Sequence, residues 1–130
     1  MVIDKKILDE LSEKAKTSER LRANLDLRNS SEDLSQRMLN ALEPGTVMPI
    51  HRHHGSSETV VIIRGKIKWM FYDETGKETE SVTLDANGPV RMLVAEKDRW
   101  HSLECIESAV IYESKDGAYR PLQDDEILLR

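Results

Sequence analysis

Apolar residues recur along this chain at two periods, and the change from one to the other is the first clue to its architecture. Near the amino terminus Ile7, Leu8, Leu11 and Ala15 return at helical spacing, with Lys, Glu and Asp between them. That pattern predicts a helix with one apolar stripe. Asp4 stands where its carboxylate can cap the first turn, and Thr17-Ser18 breaks the repeat. From Arg22 the period becomes two: Ala23, Leu25 and Leu27 alternate with Asn24, Asp26 and Arg28. This is a strand with one buried face. Asn29-Ser30-Ser31 is a turn. Leu34, Met38 and Leu42 would also fit a helix, but the neighbouring strands favour an extended reading.

Beyond Gly45 nearly every signal is β. The β-branched run Thr59 to Ile63 is bounded by Gly65, and Ile67, Trp69 and Phe71 alternate with Lys66, Lys68 and Met70. Asp73 to Lys77 predicts a hairpin turn into Glu78–Leu84, and Asn87-Gly88-Pro89 a second turn. Val90, Met92 and Val94 predict a further strand, and Ala109 to Tyr112 a last one. Short strands separated by regular turns predict a sandwich or barrel whose core includes Val60, Ile62, Ile67, Trp69 and Phe71. The acidic, then apolar, stretch Asp124–Leu129 fits neither period and is left without a place.

Composition narrows the picture. A length of 130 residues fits one domain: a helical extension over 1–20, a barrel over about 22–119 and a tail over 120–130. The net charge is −5 and no run of Lys and Arg occurs, which argues against nucleic acid as a partner. No apolar stretch approaches the roughly 18 residues of a membrane span, and the charged amino terminus lacks the apolar core of a signal peptide. Cys105 is the only cysteine, as suits a reducing compartment, so a cytoplasmic location is expected.

The chemistry concentrates between Gly45 and Gly65. His51 and His53, two apart on an extended segment, point to the same side and can reach one point. Glu58 follows beyond Gly55-Ser56-Ser57, which can turn the chain so that a carboxylate joins them. Two imidazoles and a carboxylate are the donor set of non-haem Fe(II) sites and also suit Mn, Ni or Zn. His101 is the one distant histidine able to complete a set of four, and Trp100 beside it would supply an apolar wall. An i, i+2 histidine pair taken alone is more often a pair of exposed loop residues than a ligand pair, and His54, pointing the other way, is read as such a loop residue.

The spacing removes much of that ambiguity. Gly45, His51, His53, Glu58 and Gly65 fall at every fixed position of the first cupin motif, a coincidence expected on the order of once in ten million starting points. Of the second motif only His101 matches: Glu96 stands at the proline position, Asp98 at the glycine and Cys105 at the asparagine. The turn before His101 should therefore be built differently. More broadly, Arg20–Arg28, Gln36–Gly45, the Pro49-x-His51-Arg52-His53 segment, Trp100-His101, and Glu113, Lys115, Gly117, Tyr119 and Pro121 at alternate positions resemble the WbuC family of cupin metalloproteins. The resemblance implies a double-stranded β-helix, or jelly-roll barrel, with an amino-terminal helix outside it. It also implies one bound divalent transition metal and a homodimer, in which the Ala23–Leu27 strand could pair across a two-fold axis. Family members occur in bacterial surface-polysaccharide gene clusters, so the expected ligand is a small molecule, a sugar or nucleotide-sugar.

Other residues have two readings each. Trp69 is either core or a platform for substrate. Arg37 is either an anion-binding group or half of a surface ion pair. Glu113 and Lys115 share a strand face: inward, they would form an acid–base pair beside the metal, with Tyr119 nearby; outward, an ordinary solvated pair. Cys105 is read as a buried, inert thiol. The functions open to such a chain are proton-transfer chemistry on a sugar (isomerase, epimerase or lyase), Fe(II)-dependent dioxygenation, metal-dependent ligand binding without turnover, and a barrel that the metal merely stabilises.

Overall fold

In the computed structural model, which describes residues 1–128, the two β runs on either side of Gly65 form one strand. β3 runs from Glu58 to Tyr72, and its length if straight would be about 50 Å. Yet Val60 and Ile62 from its first half and Ile67, Trp69 and Phe71 from its second half are buried in one cluster. The strand therefore folds back on itself. The bend lies where register with β6 (His101–Asp116) shifts repeatedly between Ile62 and Ile67. It also flips the inward parity, from even-numbered residues before Gly65 to odd-numbered ones after it, as an inserted bulge residue must. Gly65 makes this possible. Its φ is +74°, and a Cβ there would fall 2.0 Å from the carbonyl oxygen of Ser108 on β6.

Each remaining strand also pairs antiparallel with its neighbour. β1 (Arg22–Asp26), β2 (Ser35–Leu42), β6, β3 and β4 (Glu78–Asp85) lie in that order, and β5 (Met92–Ala95) flanks the first half of β3. Leu42, Leu84, Ala95, Leu103 and Ile111 complete the inner core. A full aliphatic side chain buried there stabilises the fold by about 1.5–3 kcal/mol. On β5 it is Leu93 that packs inward, ahead of buried Ala95, while Met92 and Val94 are 52 % and 54 % exposed and Val90 precedes the strand.

The helix forms where expected. α1 spans Lys5–Thr17, and the Asp4 carboxylate accepts from the Ile7 N–H at 3.0 Å. Leu11 and Ala15 pack on Leu39, Ala41 and Val110, the outer face of β2 and β6, so the helix lies outside the rolled sheet. Arg64, at the bend of β3, reaches back to Asp9 at 2.7 Å. The segment read as extended is β2 from Ser35 on, while Leu34 stands in the bend before it and is exposed. The acidic tail also finds a place: after a 3-10 turn at Asp124–Glu126, Ile127 pairs with His51 and the Leu128 N–H bonds to the Ile50 carbonyl. Leu129 and Arg130, the end of the tail considered above, lie outside the described residues.

Two glycines should respond differently to the same substitution. Gly55 also has a positive φ, +73°, but a Cβ there meets nothing within 4 Å. Gly55→Ala should cost about 1–2 kcal/mol, the left-handed backbone penalty alone, whereas Gly65→Ala should cost roughly 3 kcal/mol or more because backbone must move. Equal urea midpoints for the two variants would contradict this account of the bend.

Candidate metal centre

The bend of β3 gathers the site. Phe71, the register partner of His101, is thirteen residues along β3 from Glu58, about 43 Å away on a straight strand. With the strand folded back, Glu58 Oε2 lies 3.4 Å from His101 Nε2. His51 arrives on the extended segment after Gly45, fastened to the start of β6 by two backbone bonds: His51 N–H to the His101 carbonyl at 3.0 Å, and the reverse at 2.8 Å. His53 is two residues further along and shares its side. Ligand nitrogens of His51, His53 and His101 lie within 4.8 Å of one another, and His53 Nε2 is 3.6 Å from Glu58 Oε2.

Proton positions follow from the outer ring nitrogens. Nδ1 of His51 is 2.9 Å from the Pro49 carbonyl, and Nδ1 of His101 is 2.8 Å from that of Arg99. A carbonyl only accepts, so each Nδ1 carries hydrogen and each neutral ring turns an Nε2 lone pair toward the centre. Nε2 of His53 and of His101 and Oε2 of Glu58 are buried without a hydrogen bond. Buried polar atoms are normally paired. Between His101 and Glu58 lone-pair atoms face each other without a proton, and Nε2 of His53 is turned to the same carboxylate oxygen, an arrangement a cation would satisfy.

The electrostatics fit the same reading. Burial, then the neighbouring His101, depresses the His51 pKa to about 4, so the ring is neutral at ordinary pH, as a metal ligand must be. Burial of Glu58, which is 3 % exposed, would raise its carboxyl, but the Lys115 charge and then the nearby His101 and His53 rings hold it well below the usual range. Lys115 is the register partner of Glu58, and Glu113 that of Val60. Their shared face is thus the inner one. Glu113 is 6 % exposed, and burial followed by the Glu58 charge pushes its pKa up to about 7. For Lys115 burial works downward, but Glu58 and Glu113 outweigh it and the ammonium is favoured.

Trp69 serves both as core and as site wall: it is 1 % exposed and its ring stacks on His101 at 4.9 Å and 13°. The wall expected from Trp100 is therefore supplied by Trp69. Trp100 faces the opposite side from His101, under the Arg52 guanidinium at 4.3 Å. Cys105 is buried, and burial raises its pKa to about 12, which leaves it inert. The turn before His101 carries an unexpected parallel to the motif it departs from. Asp98, at the glycine position, takes φ 65° itself. Its carboxylate lies 2.6 Å from Nδ1 of His54, whose Nε2 is 3.1 Å from Asp125. Those two carboxylates raise the His54 pKa, and they hold its ring away from the centre.

A cavity of about 40 Å³ lies against His51, Glu58, Trp69, His101, Glu113 and Lys115. Room for a water beside an ion is of that order. It adjoins an outer cavity of about 470 Å³, whose wall includes His53, Lys115 and Tyr119. Arg37 is not brought to either: it sits on the opposite face of β2 from Gln36, near Asp33 at 3.5 Å. Sequence reasoning assigned no role to Arg20, Arg22, Gln36, Arg120 or Glu126, all of which line the outer cavity. The i, i+2 spacing of Arg20 and Arg22, which matches that of His51 and His53, was a usable signal.

Comparison with known proteins agrees with this architecture. The chain matches the family described as a domain of unknown function, DUF6016, over residues 3–84, and it belongs to that family. No curated protein sequence matches it. Among solved structures it is similar to the capsular polysaccharide assembling protein CapF of Staphylococcus aureus, with TM-score 0.71, 18 % identity and 88 % of this chain covered. It is similar also to the L-ribose isomerase of Cellulomonas parahominis, with TM-score 0.63, 14 % identity and 77 % covered. The cupin domain of Schizosaccharomyces pombe Cnp3 aligns with TM-score 0.59 at 13 % identity over 74 %. The chain spans 33 %, 62 % and 64 % of those proteins respectively. The fold is the cupin jelly roll with an amino-terminal helix. No helix among the described residues is long and apolar enough to cross a membrane.

The carboxy-terminal segment that pairs with His51 is anchored by one carboxylate. Glu126, 2 % exposed, accepts from both Arg120 terminal nitrogens at 2.8 and 3.1 Å and from the His54 and Gln123 N–H groups at 2.7 and 2.9 Å. Burial opposes its charge, but these bonds prevail and hold its pKa at about 2, against 4.5 for a free carboxyl. A depressed folded pKa stabilises above the unfolded value and is lost as pH falls through the folded one. Stability should therefore drop between about pH 4.5 and pH 2, and Glu126→Gln should flatten that part of a urea-midpoint against pH curve. An unchanged slope would contradict the anchoring role.

Proposed function

We propose that His51, His53, Glu58 and His101 hold one divalent transition metal (Fe, Mn, Ni or Zn) and that the site acts on a small molecule. The observation that carries this is the set of buried, unpartnered atoms Nε2 of His53 and His101 and Oε2 of Glu58, the two nitrogens lying 3.6 and 3.4 Å from the carboxylate oxygen. Three imidazoles and a carboxylate suit a transition metal, which when bound would polarise a carbonyl or hydroxyl of the ligand.

The chain's own residues supply the rest of the chemistry. Glu113, poised near neutral pH beside the ligand set, can give or take a proton. The ammonium of Lys115, between Glu58 and Glu113, stabilises negative charge on either side. Trp69 keeps the rear of the site dry. Tyr119 and the outer cavity give room for a sugar or nucleotide-sugar. This is proton-transfer chemistry of the isomerase, epimerase or lyase kind, in a WbuC-like role in surface-polysaccharide synthesis. The fold neighbours CapF and L-ribose isomerase act in kindred settings by name, which supports the choice of ligand class. Dioxygenation, the second reading, would leave the inward Glu113–Lys115 pair without a task. We place the cytoplasm as its location and a homodimer as its working form, with the outer edge of β1 available to pair.

Elemental analysis of the purified chain and its variants tests the ligand set. His51→Ala, His53→Ala and His101→Ala should each lose most of the metal, whereas His54→Ala and Glu113→Gln should keep it. A wild-type chain that takes up none of Fe, Mn, Ni or Zn would overturn the proposal, and so would loss of metal from His54→Ala equal to that from His53→Ala.

A further inference from the structure

The outer cavity has an electrostatic character that the metal reading does not use. On a chain of net charge −5, its wall carries Arg20, Arg22, Lys115 and Arg120 against Asp116 and Glu126. Arg120 is consumed by Glu126, and Lys115 faces Glu58 and Glu113. Two guanidiniums remain. Among the described residues neither Arg20 nor Arg22 makes an ion pair, whereas Arg28, Arg37, Arg64 and Arg99 each do. Arg22 instead sets one nitrogen against the sulfur of Met48, a neighbour of both cavities. A thioether carries no charge to balance it.

The backbone between the two arginines is held out of its ordinary range to present them. Leu21 has φ 55°, a left-handed conformation that costs a non-glycine residue roughly 1–2 kcal/mol. The turn is fastened on every side: the Leu21 N–H bonds to Ser18, the Leu21 carbonyl accepts from Glu43, and the Arg20 carbonyl accepts from the Thr46 hydroxyl at 2.8 Å. A left-handed residue held by surrounding bonds thus sits between two arginines that line the cavity without an ion-pair partner. At about 470 Å³ the cavity has the size of a small-molecule site.

We infer that Arg20 and Arg22 form an oxyanion subsite, binding a phosphate or carboxylate of the small molecule whose other end reaches the His51–His53–His101 centre. A guanidinium donates two parallel N–H groups to two oxygens of a carboxylate or phosphate. The inference rests on the reading of this cavity as the ligand site, and it narrows the ligand to an acidic one.

Calorimetric titration of metal-free and nickel-loaded protein with inorganic phosphate, glucose 1-phosphate, glucuronate and glucose tests it. Glucose 1-phosphate or glucuronate should bind at least tenfold more tightly than glucose, more weakly as salt rises, and the better of the two identifies the anion as phosphate or carboxylate. The R20A/R22A double variant should lose at least tenfold in affinity for that anion with metal content unchanged, and R20K/R22K should recover part of it. If no anionic probe binds, or if the double variant binds like wild type, the subsite is wrong. Anion binding that survives R20A/R22A but disappears in His53→Ala would place the anion on the metal and overturn the subsite while leaving the metal reading intact. Arginine-dependent binding to a chain that takes up no metal would do the reverse.

Discussion

The close approach of two backbones at Gly65 and Ser108 is the constraint on which the rest of this molecule depends. A β3 strand that ran straight would leave its two halves on different surfaces, and Glu58 tens of ångströms from His101. Because no side chain separates Gly65 from the Ser108 carbonyl, β3 and β6 bend together. One cluster then buries Val60 and Ile62 with Trp69 and Phe71. The same bend that closes the core delivers a carboxylate from one end of β3 to histidines held at the other. Core formation and site formation are here a single event.

Within that enclosure charge is arranged with some economy. The inner chamber places Glu58, Glu113 and Lys115 together, so that two buried acids share one ammonium and three imidazoles. Glu113 is displaced toward neutrality by burial and by Glu58, while Glu58 stays ionised with the help of Lys115. Two carboxyl groups with environments that push them apart are what acid–base chemistry at neutral pH requires. Outside, His54 is drawn toward Asp98 and Asp125, and Glu126 toward Arg120, which keeps both from competing for the centre.

Much of this was legible in the sequence, for physical reasons. Alternation gave the helix-facing side of β1 and the inner face of β3 beyond Gly65, helical spacing gave α1 with its Asp4 cap, and the first motif brought forward the residues that converge. What was not legible depends on long-range pairing. Whether Glu113 and Lys115 faced in or out hung on β6 keeping one parity through its irregular middle, which only its pairing with β3 reveals. The tail had no pattern of its own because its partner is His51, far earlier in the chain. Trp69, not Trp100, walls the site, because neighbours along an extended chain face opposite sides and the residue beside His101 is the one least able to touch its ring. Asp98 shows that a substituted motif position can keep its backbone conformation: a short polar residue took the left-handed φ that the glycine of the motif tolerates.

The central claim is that converging lone pairs from four named side chains are a metal site. Anomalous diffraction from crystals of the chain, recorded at the absorption edge of whichever metal elemental analysis finds, tests it most directly. The account predicts one peak per chain, enclosed by His51, His53, Glu58 and His101 and open toward Glu113 and Lys115. A peak bound instead by His54, Asp98 and Asp125, or no peak in a chain shown to be metal-loaded, would contradict it.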